Sequence, residues 1–459
     1  MLEATLSTNN NIKERRKTMS APAGLVNSLN RIRELSSDIY HQYIPELDAD
    51  SDISTFGAPI LQYQVVQNEF MSALINRIAS TQFEVKYFNN PLRMLEGDRV
   101  PFGHAVQDIA VNKIAGRKFN VEDFAGLLAK YEADVKVQYL EVNSDLQYPV
   151  TITRAKLQKA FTSWDNLNTF IDEITNEMYN SAYIDEYNQV RALVTEAYLN
   201  NRVQIETISA VSDAATAAAF TEKARELFLN FQAPSSAYNA WSKVGGEGRP
   251  IITWTNPEDI VIIIKNSVRS KIDVQSLASA FNLEYRQLLG QIISVPDWDV
   301  YNDDGTKHSD GSAIVGIICD KSFFKIREQD RDFSDFWNPN NRTWQLYLNI
   351  VKMYATSLFA NAVVFATSTP TVPATAVTPA KTTVSVVAGQ DVVVPVTLTP
   401  FQATTAVTAT SSAEAKATVS VTGHNVTIHG ESAGNSTITV SAGAGVTATI
   451  AVTVTAASE

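Results

Sequence analysis

The sequence predicts an α+β body followed by a separate all-β sandwich, and three observations carry that expectation. Residues 163–200 contain neither Gly nor Pro, and Trp164, Leu167, Ile171, Ile174 and Met178, then Tyr187, Val190, Val194 and Ala197, recur at helical spacing. Between 201 and 335, short β-like runs alternate with helical stretches, the pattern of a mixed α+β layer. At Thr367 the composition breaks: beyond it Trp and Tyr vanish, Phe401 is the sole aromatic, and strict apolar/polar alternation takes over.

Residues 1–57 are polar, with a basic cluster at Lys13, Arg15, Arg16 and Lys17, and read as a solvated arm or as one that orders against a neighbouring subunit or a polyanion. Over 60–79 a helix places Val66, Phe70, Ala73, Leu74 and Ile78 on one face. From 80 to 150 the pattern changes: QFEVKYF alternates with period two, NNPL and EGDRVPFG are turn chemistry, and ADVKVQYLEV (133–142) follows a helical piece at 121–131. This reads as a two-stranded extension, marginal alone and therefore expected to lie against something else, with a partner subunit the natural candidate.

A short helix over 154–161 leads into 163–200, a rod of roughly 55 Å with Ser163 placed to cap it. Its charge is one-sided: Asp165, Asp172, Glu173, Glu177, Asp185, Glu186 and Glu196 stand against Arg191 alone. Strand 201–211, helix 212–231, loop 245–250, strand IVIIIK, a helix over 267–282 and the strands GQIISV and AIVGIIC follow, and 343–366 returns to the core. Residues 367–382 read as an extended Thr/Pro/Ala linker. Short β runs with Gly/Asn/Asp turns over 383–456 spell a small sandwich, which has no Cys pair and no core Trp.

At 459 residues the soft expectation is about three domains. A net charge of −12 and a pI near 5.0 argue against a sequence-specific nucleic-acid binder, which needs a dense basic footprint. Cys319 is the one cysteine, so no disulfide framework is expected. The first residues lack a signal peptide's apolar run and the apolar stretches are too short to span a bilayer, so an intracellular product is expected, with no membrane partner.

The search for chemistry is negative. There is no HExxH, no GxxxxGK[ST], no GxSxG and no GxGxxG. His41, His104, His308, His424 and His429 are scattered, the last two at exposed loop positions of the β module. The acidic run 297–311 does not put Gly305 at the sixth place of an EF-type loop and reads as a solvated surface loop. Cys319 sits in an apolar strand and reads as a buried small hydrophobe. No catalytic, cofactor-binding or metal-ligating residue is nominated, no cofactor is expected, and the protein is expected not to be an enzyme.

The runs GAPILQYQVVQNEFMSALINRI, FNNPL, AFTSWDNLNTFI, MYNSAYIDEY, SLASAFNLEYRQLLG and WNPNNRTWQLYL leading to FANAVVFA occur in that order between 57 and 366. In that order they resemble the major capsid proteins of phi-29-type small podophages, and GNSTITVSAGAGVTATIAVTV is similar to the bacterial Ig-like group 2 (BIG2) module. The resemblance implies a Hong Kong 97-like capsid fold: an N-terminal arm at 1–57 and a capsid domain over 58–366, with an extended loop at about 80–150, a spine helix at about 163–200 in the peripheral domain, and an axial domain at about 212–335. In it 343–366 closes the peripheral sheet, and 383–456 is the BIG2 domain. It implies a head protein that self-assembles into pentamers and hexamers, forming an icosahedral or prolate shell around double-stranded DNA in the virion. Its implied partners are a scaffolding protein during assembly, the portal or connector, the DNA without sequence specificity, and a host surface through the Ig-like domain. The acidic helix would then suit an inward surface that repels DNA. Some capsids of this fold cross-link a loop Lys to a neighbour's Asn; Lys86 near Asn89 and Asn90 invites that reading, but the phi-29 type does not imply it. A bacterial surface adhesin or wall-associated protein, suggested by the Ig-like module alone, is the competing class.

Overall fold

The computed structural model describes residues 23–80, 88–101, 105–114, 116, 130, 132–244, 249–272, 292–302 and 304–456. The basic cluster at 13–17, the run 82–87 with Lys86, His104, most of the helix expected at 121–131, loop residues 245–248 and most of the helix expected at 267–282 lie outside them.

Four helices come first: α1 (Ala23–Glu34), α2 (Asp38–Tyr43), α3 (Ile53–Gln62) and α4 (Gln64–Ser80). They correct the expectation of a solvated arm for residues 23–57. Leu25, Val26, Leu29 and Ile32 recur at helical spacing and are buried, as are Tyr40, Ile44, Ile53 and Phe56; the polar residues between them hid the stripe. The single helix expected over 60–79 breaks at Tyr63, which turns extended and stacks its ring 4.6 Å from that of Tyr43. Val66, Phe70 and Leu74 still share a buried face.

A 3-10 turn (Pro91–Leu95) precedes an antiparallel ribbon of β1 (Val106–Val111) and β2 (Val135–Leu140), with Ile109 opposite Val137 and Val111 opposite Val135. The two-stranded extension therefore exists, with VQDIAV as its unforeseen first strand. After β3 (Ser144–Thr153) and α5 (Arg154–Ala160) comes α6 (Trp164–Leu199), whose 36 residues give a rod of about 54 Å. Ser163 caps it, accepting from the Asn166 N–H at 3.2 Å.

Beyond α6 the chain builds a five-stranded sheet from β4 (Gln204–Thr207), β5 (Ile260–Lys265), β6 (Ile292–Val295), β9 (Ile314–Asp320) and β12 (Ala362–Ala366), ordered β4-β12-β9-β5-β6. A small hairpin, β7 (Val300–Tyr301) with β8 (Lys307–Ser309), lies between β6 and β9. The sheet is covered on both faces, which is why IVIIIK is apolar throughout. Val261 and Ile263 face the second half of α6, at Val190, Val194 and Ala197. Ile260, Ile262 and Ile264 face α7 (Ala214–Phe231), at Phe220, Leu227 and Phe231.

A second sheet, ordered β10-β11-β3, pairs the long hairpin β10 (Phe324–Asn338) and β11 (Thr343–Thr356) with β3. Leu346 and Leu348 of this sheet meet Leu167, Ile171 and Ile174 on the first half of α6, closing a core shared with α1–α4. Two expectations change here. Segment 343–366 does not enter one sheet: 343–356 joins the three-stranded sheet and 362–366 the five-stranded one. The unit expected to run to 335 yields residues 324–335 to β10, whose charged Arg327, Asp330, Arg331 and Asp332 suit an edge strand.

The C-terminal part is a sandwich of two four-stranded sheets, from β13 (Ala376–Pro379), β14 (Thr383–Val387), β15 (Asp391–Thr399), β16 (Thr408–Ser411), β17 (Ala417–Thr422), β18 (Asn425–Gly430), β19 (Gly434–Ser441) and β20 (Thr447–Thr455), ordered β13-β15-β18-β17 and β14-β20-β19-β16. The linker expected at 367–382 is mostly part of it. Ala374 and Val377 are buried in the sandwich core, Val372 is bonded through its backbone to Thr404, and β13 pairs with β15 from Ala376 to Pro379. Prolines are tolerated there because β13 is an edge strand, where a missing N–H breaks no ladder.

Candidate assembly surfaces

The inward side of the β1–β2 ribbon is mixed: Leu140 is buried there, and Asp108 and Gln138 bond to the body. Asp108 pairs with Lys325 Nζ at 2.9 Å and accepts from Ser357 Oγ at 2.5 Å. Gln138 Nε2 donates to the Thr356 carbonyl at 3.0 Å, and the Leu358 N–H donates to Gln138 Oε1 at 3.0 Å. At the far end Asn112 Nδ2 donates to Pro250 O at 2.9 Å, and Asn112 Oδ1 accepts from the Ile252 N–H at 3.2 Å.

The apolar side faces water. Ile109 is 54% exposed, Val111 62% and Tyr139 67%, with Val135 and Val137 exposed between them. A half-buried ribbon usually shows the reverse arrangement. Each such side chain gains about 1.5–3 kcal/mol on full burial, so a contiguous exposed row is a surface suited to an interaction. The ribbon leans on its own chain along the inward face, while the outward face lies open.

Where the chain enters the ribbon it is held by a buried charge cluster. Lys352 on β11, 3% exposed, has its Nζ 2.8 Å from Glu96, 2.8 Å from Glu186 on α6 and 3.8 Å from Glu328 on β10. Glu328 also meets Arg331 at 2.6 Å and Arg99 at 3.1 Å, and Asn90 Nδ2 donates to Glu186 at 3.1 Å. Removing one member of such a buried set strands the others, at a cost of about 3–5 kcal/mol. Sequence reading missed Lys352: one Lys inside an apolar strand, paired with carboxylates remote in sequence, leaves no local pattern.

The acids of α6 do not form one face. Glu186 is buried in the cluster and Asp185 accepts from Tyr148 Oη at 2.9 Å. Asp165, Asp172, Glu173 and Glu177 occupy an arc of about 140° at 100° per residue on the first half alone, where burial raises the Asp172 carboxyl above its usual range. Arg191, far from being their counterion, is buried and pairs with Asp297.

That pair anchors the run 297–311, which is exposed at 301, 302 and 304–308 as expected but held at its ends: Trp298 is buried, Asp299 accepts from the Gly311 N–H at 2.9 Å, and Lys307 bridges Asp299 at 2.9 Å and Asp310 at 3.2 Å. Asp297, Asp299, Asp304 and Asp310 have protein partners, and among the described residues no His/Cys/Asp/Glu group is arranged to hold a metal. His429 lies on β18 rather than in a loop, with Nδ1 2.6 Å from Asp391. Cys319 is fully buried, and burial pushes its thiol well up. Among the described residues no helix is long and apolar enough to cross a membrane.

A family model described as Phi29-like phage major capsid protein matches residues 29–366. The chain belongs to that family. The major capsid protein of Bacillus phage PZA is 28% identical over 344 residues, covering 73% of this chain and 72% of that protein. That of Streptococcus phage Cp-1 is 26% identical over 350 residues, covering 73% and 92%. Among solved structures, the capsid structure of Staphylococcus phage Andhra superposes with a TM-score of 0.52 at 15% identity, covering 63% of this chain and 87% of that chain, a likeness of fold. The fold is Hong Kong 97-like. The protein is a phage major capsid protein whose copies assemble into the capsid of the virion, a structural role and not an enzymatic one.

Proposed function

We propose that this subunit forms pentamers and hexamers closing into an icosahedral or prolate shell around double-stranded DNA, and that the apolar face of the β1–β2 ribbon is a contact between neighbouring copies. The observation that carries this is the ribbon's outward row: Asp108 and Gln138 bond the inward side to its own body, while Ile109, Val111, Val135, Val137 and Tyr139 stand open to solvent. A self-assembling chain buries such a face against a second copy, and closed symmetry repeats the contact around the shell. The net charge of −12 supports a container that holds DNA without gripping it. In this reading α6 is the spine, the five-stranded sheet with α7 is the axial part, and a scaffolding protein and a portal act during assembly. The C-terminal sandwich is a BIG2-like module on the exterior, touching a host surface or clamping neighbouring capsomers.

The test is the double variant Ile109→Asp, Val137→Asp in the full chain, co-expressed with a scaffolding partner. Both positions face solvent, and two Asp side chains directly opposite across the ribbon cost roughly 0.2–1 kcal/mol, so the subunit should stay folded by its thermal transition while electron microscopy shows no shells. Shells at wild-type yield would overturn the assignment.

A further inference from the structure

We infer that Lys352 is the positioning residue for assembly: through Glu96 it fixes the direction in which the β1–β2 ribbon leaves the body, and so the curvature at which copies join. The inference rests on the reading that the ribbon's apolar face contacts a neighbour.

Residues 96–100 run alongside the free edge of β10. Glu96 bridges to Ile326 in parallel, the Gly97 N–H donates to Ile326 O at 3.0 Å, and the Val100 N–H donates to Glu328 O at 3.0 Å. These paired residues end six positions before β1 in the chain, at the base of the ribbon. Two backbone bonds at a sheet edge hold weakly by themselves. The charge cluster turns them into a clamp, because Lys352 joins three separate elements: Glu96 of the ribbon's base, Glu186 of α6 and Glu328 of β10. Arg327 closes the other side. Its Nη1 donates to Asp98 O at 3.2 Å, and Gly97 lies so near that an added Cβ would sit 2.2 Å from that nitrogen. A lysine this buried, tied to α6, β10 and the loop base together, specifies relative placement, a role attested for some buried polar groups.

Glu96→Gln tests it, because it releases the loop base while leaving Lys352 paired with Glu186 and Glu328. In the unassembled full chain, Tm should fall, and amide exchange at Gly97 and Val100 should rise about tenfold more than at amides of the five-stranded sheet. Assembled particles should vary in diameter. Gly97→Ala, which displaces Arg327 and leaves the cluster whole, should give the same spread of diameters and keeps the test open should Glu96→Gln fail to fold. Particles of wild-type diameter and uniformity in the folded variant overturn the inference, whether or not exchange rises. If the ribbon reading itself is at fault, Ile109→Asp, Val137→Asp assembles normally; if only the clamp is at fault, that double variant fails to assemble while Glu96→Gln gives uniform shells.

Discussion

Tyr198 Oη donates to the Ser368 carbonyl at 2.7 Å, tying the last turn of α6 to the first residues beyond the body. Just past the helix, Asn201 sits in the left-handed region at φ 51 and donates from Nδ2 to Gln402 O at 2.9 Å. Lys243 Nζ in turn donates to Asn201 Oδ1 at 2.9 Å and Val203 O at 3.0 Å. The sandwich is seated on the end of the long helix and does not hang from a flexible tether.

The seat carries a pH signature. Burial pushes the Lys243 ammonium down to about 8. Between that value and its usual one near 10.4 the unfolded chain binds more protons than the folded chain, so this group's contribution to stability rises with pH across that window and is lowest below it. The Tm of the wild type minus that of Lys243→Gln should therefore increase from pH 8 to pH 10. A flat difference contradicts the burial.

The sandwich begins earlier than its composition suggests. Ala374 and Val377 join its core and β13 supplies one of its edges. A fragment of residues 368–459 is expected to unfold cooperatively on heating. A fragment of 383–459, stripped of that edge, should show no cooperative transition. Equal transitions in both would mean that residues 368–382 are dispensable linker.

The N-terminal helices are core, with Phe56, Phe70 and Phe161 meeting at ring centroids 5.5–6.2 Å apart. Phe70→Ala should cost about 3–5 kcal/mol in denaturant unfolding. Gly57→Ala should cost about 1–3 kcal/mol, because its Cβ would lie 2.4 Å from Phe161 Cβ. Neutral effects at both positions would place residues 23–62 outside the folded core.

What was legible in the sequence follows from periodicity. Ser163–Asn200 reads as a helix because its apolar stripe and its cap are local, and IVIIIK reads as a buried strand because both its faces are covered. Strands β1 and β10 were not legible. VQDIAV shows its apolar residues to water and FKIREQDRDFSDFWN is charged, so neither presents the usual apolar-in pattern. The acidic face dissolved because Glu186 and Asp185 are spoken for by Lys352 and Tyr148, partners more than 30 residues away in the chain. The family resemblance placed the function; the ribbon's outward row and the clamp at Lys352 became visible only in three dimensions.

In the proposed shell the outward face of the ribbon is covered, and thiol labelling at Val137→Cys reads that burial out. Cys319 is fully buried with its thiol pushed well up, so it gives little background. Free subunits of the variant should label rapidly and assembled shells should be protected at that position. Labelling at the same rate in both states would contradict the claim.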